Sequence, residues 1–225
     1  MKQLLLEISP DFTPTLDNFV AGRNAEVLQA LGESAVGAQP ERFIYLWGEP
    51  SSGKTHLLHA FAEAVSRRGL KSVYVQCGAA LPDDLDGYDA VALDDVDRLD
   101  GEGQIALFNL YNRLREGRGR LLTSGPCAPA QLAMRPDVVT RLGWGLVYQI
   151  HGLSDDEKVQ ALHAHAASRG FRLGAGVAEY LLRHWRRDLP SLLGALDTLD
   201  RYSLETQRPI TVPLLRETLR HEVDP

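Results

Sequence analysis

The sequence predicts an α/β fold with a parallel sheet, followed by a small all-helical C-terminal domain. Three observations predict it. Short apolar runs alternate with amphipathic segments up to His151, which is typical of parallel strands joined by crossover helices. A glycine-rich segment, GEPSSGKT, lies directly between one apolar run and one amphipathic segment. After His151 the strand-like runs stop, and only helical periodicity remains.

Each expected strand is a short apolar run, and each expected helix has apolar residues at helical spacing. The strands are residues 42–47, 71–77, 88–96, 119–125 and the end of 139–150. The helices are residues 24–36, 55–69 and 102–117, then 154–170, 176–188, 190–207 and 211–223. We expect Asn24 to cap the first helix, and Ser154 with Glu157 to form a capping box.

Composition limits the classes of function. The chain has 225 residues, 44% of them hydrophobic, which is ordinary for a globular protein with its own core. Cys77 and Cys127 form no CxxC, so we expect neither a disulfide framework nor a zinc site. No apolar run is long enough to span a bilayer, and we expect a cytoplasmic protein. The net charge of −6 argues against sequence-independent binding to duplex DNA, which depends on Lys and Arg neutralising phosphates.

The segment GEPSSGKT fits the phosphate-binding P-loop pattern GxxxxGK[ST] in full and stands between a strand and a helix, as that motif requires. Its residues are Gly48, Glu49, Pro50, Ser51, Ser52, Gly53, Lys54 and Thr55. Glycines let backbone N–H groups turn toward a phosphate, and the helix N-terminus adds partial positive charge. We expect Lys54 to reach the β- and γ-phosphates of ADP or ATP, and Thr55 to ligate Mg²⁺.

Two later strands end in polar residues that suit the same site. Asp94 and Asp95 close an apolar run, and we expect Asp94 to complete the Mg²⁺ shell and Asp95 to orient or deprotonate the attacking water. The alternative is a surface turn rich in acids. Thr123 and Ser124 end another strand, and either hydroxyl suits a contact with the γ-phosphate or water. Read alone, both are equally well explained as strand-end turn residues.

Two histidine pairs and one basic cluster invite other interpretations. They are His56 with His59, His163 with His165, and Arg183, His184, Arg186 and Arg187. The pairs lack a third metal ligand, so we favour packed or solvated histidines. The cluster is interpreted as a solvated face or a phosphate contact rather than a DNA site.

The motifs in this order resemble the DnaA/Hda family of AAA+ ATPases over most of the chain. The segments that carry the resemblance are TLDNFVAGRNAEVLQAL, YLWGEPSSGKTHLLHA, LDDV, LLTSG and RLGWGLVYQI. The resemblance implies an AAA+ core with a helical lid. It places Phe19, Val20, Gly22 and His56 at the bound nucleotide, and it makes Arg141 an arginine finger.

Other segments resemble the regulatory inactivators within that family: FNLYNRLREG, LSDDEKVQALHAHAASRGF and LDTLDRYSLETQRPITVPLLRE. Together with the nucleotide-binding motifs, these segments predict an extended arm over residues 1–14, a core over 15–151 and a lid over 152–225. In the arm, Gln3, Leu4 and Leu6 resemble a peptide that docks on the sliding clamp, the beta subunit of DNA polymerase III. Neither an N-terminal interaction domain nor a helix-turn-helix domain is expected.

The resemblance implies a negative regulator of replication initiation. Bound to the clamp on DNA, and so to the nucleoid, the chain would insert Arg141 into the nucleotide site of DnaA and stimulate hydrolysis of its ATP. Contact with DNA would be indirect, through the clamp, and self-association is left open.

Three positions depart from the family pattern. Glu7 stands where the clamp peptide usually has Pro or Phe, Pro126 where relatives often have Asp, and Pro190 at the lid arginine called sensor 2. Arg187 lies one turn before Pro190. Activation of DnaA is therefore favoured over ATP turnover by the chain itself. The alternatives are an autonomous ATPase of the helicase-loader type, a non-catalytic adaptor that binds DnaA, and a P-loop nucleotide kinase.

Overall fold

The computed structural model describes residues 13–38, 40–85 and 87–223, with side chains up to Glu217. The chain divides after Gly152 into two compact units, which are described separately. The arm residues Gln3, Leu4 and Leu6 lie outside the described residues, so their role in clamp docking stays a prediction.

The first unit is built on a five-stranded sheet. Its strands are β1 Phe43–Trp47, β2 Ser72–Gln76, β3 Ala90–Asp94, β4 Arg120–Gly125 and β5 Leu146–Gln149. They lie in the order β2-β3-β4-β1-β5, and every neighbouring pair is parallel. In register, Leu46 of β1 faces Ser124 of β4 on one side and Tyr148 of β5 on the other. The parallel sheet predicted from the alternating pattern is confirmed.

Among the described residues, four α-helices accompany the sheet, and four form the second unit. In the first unit they are α1 Ala25–Val36, α2 Lys54–Ser66, α3 Gly101–Glu116 and α4 Pro136–Leu142. In the second unit they are α5 Asp155–Ser168, α6 Val177–His184, α7 Leu189–Thr206 and α8 Val212–Val223. Among the described residues, no helix has the length and apolarity needed to cross a membrane.

Alternating residues of the strands supply two cores, one for each face of the sheet. The core that includes α3 and α4 takes Phe43, Tyr45, Val91, Leu93 and Leu121 from the strands. The core that includes α1 and α2 takes Ile44, Leu46, Ala90, Ala92 and Leu122. Both faces of the sheet are therefore covered, which leaves the strand ends as the place for polar chemistry.

Arg42, just before β1, caps the C-terminal end of α3. Its guanidinium donates hydrogen bonds to the carbonyls of Leu114, Arg115, Gly117 and Gly119 at 2.9–3.1 Å. These carbonyls lack partners within the helix, and a positive charge there also favours the helix dipole. The end of α3 is thereby fixed to the beginning of the central strand.

The start of α1 differs from the prediction. Asn24 precedes α1, but its side chain makes no capping hydrogen bond. Instead its amide nitrogen donates to the His151 carbonyl, and its amide oxygen accepts from the His151 backbone N–H, both at 2.8 Å. Asn24 is buried, so this pair of bonds satisfies both halves of the amide. A tertiary partner has displaced the local cap.

The second unit has its own apolar core, centred on Leu162, Leu181, Leu192 and Leu214. The predicted capping box at α5 is confirmed: Ser154 and Glu157 exchange side-chain and backbone hydrogen bonds. α6 ends at His184, earlier than its pattern predicts, because Trp185 is extended. Arg187 forms an ion pair with Asp155 within this unit.

Candidate functional site

The order of the strands gathers the polar motifs at one edge of the sheet. β3 lies beside β4, and β4 lies beside β1. The P-loop follows β1, the two acids close β3, and Ser124 stands near the end of β4. Because the strands are parallel, these three carboxyl ends share one edge, where ligands bind in open α/β sheets.

The P-loop has the backbone that its glycines predict. Gly53 has φ +105°, and a Cβ at that position would lie 2.7 Å from the Phe19 ring. A Cβ on Gly48 would lie 2.3 Å from the Ile150 carbonyl oxygen. Ser51 has φ +60°, a left-handed conformation that is uncommon outside glycine. The loop therefore approaches its surroundings closely, and α2 starts directly behind it with Lys54 and Thr55.

Ser52 gives an independent indication of an anion site. Its hydroxyl is buried and has no hydrogen-bond partner among the described residues. A buried hydroxyl without a partner carries a free-energy cost, which a ligand oxygen at this position would remove. Glu49 and Pro50, in the same turn, are exposed.

Lys54 is folded back onto its own loop. Its ammonium donates to the carbonyls of Gly48 at 2.7 Å and Glu49 at 3.0 Å. Burial lowers the pKa of Lys54, and the nearby carboxylates Asp95 and Asp94 oppose that shift. A phosphate held by the loop would be a stronger acceptor for this ammonium than the two neutral carbonyls.

Asp94 is fully buried and accepts three hydroxyl groups. Thr55 donates to one carboxylate oxygen at 2.6 Å, and Tyr74 of β2 donates to the same oxygen at 3.1 Å. Ser124 donates to the other oxygen. Oxygen ligands from one carboxylate and one hydroxyl suit Mg²⁺, which takes its remaining ligands from phosphate and water. Thr55 and Asp94 therefore fit the predicted metal.

Asp95 turns away from Asp94 through a left-handed backbone, with φ 55° and ψ 54°. Its N–H donates to the Ser124 hydroxyl at 2.9 Å. Its carboxylate accepts from the Gln76 amide at 3.0 Å and lies 3.1 Å from the Arg98 guanidinium. The candidate for orienting water is thus held by two side chains, and Ser124 connects the two acids.

The segment before α1 lies against the P-loop helix. The Phe19 ring meets the His56 ring edge to face at 5.3 Å, and His56 Nε2 lies 3.0 Å from the Thr15 carbonyl oxygen. Burial lowers the pKa of His56 despite that carbonyl. Val20 is half-buried, and Gly22 has φ +47°. Phe19 and His56 are brought together beside Gly53, and their contact with a bound nucleotide stays a prediction.

Arg141 is on α4, and its guanidinium lies among aromatic rings. The guanidinium carbon is 4.1 Å from the ring centre of Trp144, 5.1 Å from Phe108 and 5.7 Å from Tyr111. Within the described residues the side chain makes no hydrogen bond or ion pair, and its Nη1 is buried without a partner.

Arg141 lies at the opposite end of the sheet from the chain's own P-loop. Gly145, which joins α4 to β5, packs on the carbonyl of Phe43 at the beginning of β1. The P-loop begins after Trp47, at the end of the same strand. Four residue steps along a strand separate these points by roughly 13 Å. The turn after Arg141 and the P-loop therefore lie at opposite ends of β1.

Sequence reasoning missed several partners of the site. They are Tyr74, Gln76 and Arg98 around the acids, and Phe108, Tyr111 and Trp144 around Arg141. Tyr74 and Gln76 alternate on β2 and so share one face. That alternation is visible in the sequence, but the position of β2 beside β3 is not.

Comparisons with known proteins agree with this architecture. Residues 155–219 match the family model described as the Hda lid domain. Domain III of the replication initiation protein DnaA from Thermotoga maritima has 22% identity and a TM-score of 0.78, covering 96% of this chain and 99% of that chain. AMPPCP-bound DnaA from Aquifex aeolicus has 23% identity and a TM-score of 0.69 over 84% of this chain. This chain spans 66% of the length of that DnaA.

RuvB from Thermotoga maritima is also similar, with 15% identity and a TM-score of 0.69, over 92% of this chain and 71% of that chain. At these identities the likeness concerns the fold. The chain is therefore a P-loop protein with the AAA+ fold of DnaA domain III and a C-terminal lid of the Hda type.

Proposed function

We propose that this chain is a negative regulator of bacterial replication initiation. Bound to the sliding clamp on DNA, it stimulates hydrolysis of DnaA-bound ATP by supplying Arg141 in trans. The observation that carries the proposal is the placement of Arg141, far from the chain's own P-loop and without an anionic partner in the part of the chain that the structure describes. The DnaA-like fold and the Hda lid match support the choice of partner.

The chain's own P-loop binds ADP or ATP in this proposal. Backbone N–H groups of the loop and the Ser52 hydroxyl contact the phosphates, and Lys54 leaves its two loop carbonyls to join them. Thr55 and Asp94 would hold Mg²⁺, which would neutralise part of the phosphate charge. Phe19 packs near the base, and His56 holds Phe19 and the segment before it.

The arginine acts on the partner's nucleotide. As the γ-phosphoryl group transfers to water, negative charge develops on its oxygens, and the guanidinium of Arg141 stabilises that charge by hydrogen bonding. An arginine supplied in trans contributes roughly 10³–10⁵ in rate. DnaA-ATP becomes DnaA-ADP, and new initiation is suppressed. The clamp-docking residues Gln3, Leu4 and Leu6 raise the local concentration of the chain at replicated DNA.

The test is ATP hydrolysis by DnaA in the presence of DNA-loaded clamp and this chain. Arg141→Ala should abolish the stimulation while binding its own nucleotide normally. Arg135→Ala is the matched control, because Arg135 precedes the same helix but is exposed and paired with Asp137. Full stimulation by Arg141→Ala would exclude the finger. Gln3→Ala should weaken capture by immobilised clamp, and unchanged capture would remove Gln3 from the clamp contact.

A second candidate is autonomous ATP hydrolysis of the helicase-loader type. The complete set of Lys54, Thr55, Asp94 and Asp95 at one edge favours it. Against it, the Asp95 carboxylate is engaged by Gln76 and Arg98. This candidate predicts turnover without DnaA that Asp95→Asn removes, whereas the proposed function predicts that stimulation of DnaA survives Asp95→Asn.

A further inference from the structure

The half-exposed indole of Trp144 lies close to two guanidinium groups. The ring centre is 4.1 Å from the guanidinium carbon of Arg141 and 4.8 Å from that of Arg115. Half of the Trp144 surface is exposed, which is unusual for so large an apolar ring. Both cations are within the distance at which an indole face attracts them. The three side chains form what is called here the Arg115–Trp144–Arg141 stack.

The protein core fixes the indole from behind. Tyr111 contacts the Trp144 ring edge to face at 6.5 Å and packs in turn on Phe43 at 4.3 Å. Gly145, the next residue, admits no side chain, because a Cβ there would lie 2.0 Å from the Phe43 carbonyl oxygen. The turn that carries Trp144 is therefore seated directly on the first residue of β1.

Stacking leaves the hydrogen-bond donors of an arginine available. Arg42 shows the opposite arrangement in the same protein, since its guanidinium donates to four carbonyls. Arg141 makes no such bond to any residue that the structure describes, yet three rings surround it. A ring face orients the plane of a guanidinium but accepts no in-plane N–H, so stacking does not consume the donors of Arg141, and its Nη1 has no partner among the described residues.

We propose that Trp144 is a positioning residue for Arg141, and that Arg115 supports the indole in that role. This inference rests on the proposed function, in which Arg141 meets the phosphates of a partner-bound nucleotide. The stack holds the guanidinium in one orientation before the partner arrives, which reduces the conformational entropy lost when the phosphate contact forms. Trp144 itself touches no reacting atom.

The kinetic test compares Trp144→Phe, which keeps a ring face, with Trp144→Leu, which does not. For stimulated hydrolysis, Trp144→Leu should lower kcat about 3- to 10-fold, with the KM for DnaA changed less than about twofold. Trp144→Phe should retain at least about half of kcat. In an Arg141→Ala background, Trp144→Leu should have no further effect. An effect confined to KM, or one that persists without Arg141, would overturn the positioning role.

A second measurement separates this inference from the proposed function. In the protein alone, the order parameter of the Arg141 Nε–H bond should fall in Trp144→Leu and stay near the wild-type value in Trp144→Phe. Arg115→Met, which leaves the indole in place, should lower it by a smaller amount. An unchanged order parameter in Trp144→Leu rejects positioning, whatever the kinetics. A third result is that Arg141→Ala leaves hydrolysis unchanged while the order parameter still falls in Trp144→Leu. That result would reject the arginine-finger function and support the positioning of Arg141 by Trp144.

Discussion

Replacing Ser124 with alanine tests how the two acids of the site are held together. Ser124 is fully buried on β4, and its hydroxyl has two hydrogen-bond partners. It accepts from the backbone N–H of Asp95 at 2.9 Å and donates to the carboxylate of Asp94. Alanine fits the same space, so the main loss is the pair of hydrogen bonds.

The expected cost follows from those two bonds. A hydrogen bond to a charged group contributes about 1.5–3 kcal/mol, and a buried N–H left without a partner costs about 1–3 kcal/mol. Asp95 also has a left-handed backbone with φ 55°, a conformation that costs free energy in a residue other than glycine. Asp94 keeps its bonds from Thr55 and Tyr74, so the loss is partial. We expect Ser124→Ala to lower the free energy of unfolding of the first unit by about 3 kcal/mol.

The measurement is urea unfolding followed by tryptophan fluorescence, in a variant whose only remaining tryptophan is Trp47. Because Trp47 ends β1, its fluorescence reports on the first unit. With an m-value of about 2 kcal/mol/M, the midpoint should fall by about 1.5 M. Thr123→Val is the matched control: Thr123 is buried on the same strand, but its hydroxyl makes a single long bond of 3.4 Å to Ile44. A Ser124→Ala cost no larger than that of Thr123→Val would refute the reasoning.

Three further predictions concern the same unit. Arg42→Ala should lower the free energy of unfolding by about 2–3 kcal/mol, because the end of α3 loses four charge-assisted hydrogen bonds, and Arg42→Lys should restore part of it in urea titrations. Gly53→Ala should destabilise by about 1–3 kcal/mol and weaken nucleotide binding measured by calorimetry, because φ +105° strains alanine and its Cβ meets Phe19. Gly32→Ala is its control: it lies within α1 with nothing nearby, and should stabilise by about 0.5–1 kcal/mol. Burial lowers the pKa of His56 below 6.5, so folding favours the neutral ring. Its contribution to stability is complete above about pH 6.5 and decreases as the pH falls through the folded-state pKa. His56→Gln should flatten that part of the melting-temperature profile against pH, and an unchanged slope would assign it to other groups.

The fold was predictable because each element carries a local signal. Apolar runs of strand length and a P-loop between a strand and a helix fix the type of sheet and the position of Lys54 and Thr55. The ends of helices were harder to predict where a distant residue competes with the local backbone for the hydrogen bonds of a capping side chain. Asn24 is a residue type that commonly caps helices, but its side chain is hydrogen-bonded to His151 instead. No sequence pattern near Asn24 indicates a partner 127 residues away.

The surroundings of the site depend on which strands and helices become neighbours. Tyr74 and Gln76 reach the acids only because β2 pairs with β3, and the order of strands is not written in any one segment. The rings of Phe108 and Tyr111 are on α3 and Arg141 is on α4, so they are neighbours only because these two helices pack together. The sequence showed Arg141 as a candidate, but the aromatic rings that surround it become neighbours only in the folded chain.

The bonds between Asn24 and His151 have a consequence for the connectivity of the first unit. They hold residues near its beginning and its end within hydrogen-bond distance, so the segment between them is a closed loop without a covalent link. Joining residues 24 and 151 with a short linker and opening the chain at an exposed turn, such as 67–69, would change the order of synthesis and leave the sheet as it is. We expect such a circular permutant to keep the P-loop and the acids together, because their meeting depends on strand neighbours and not on where the chain begins.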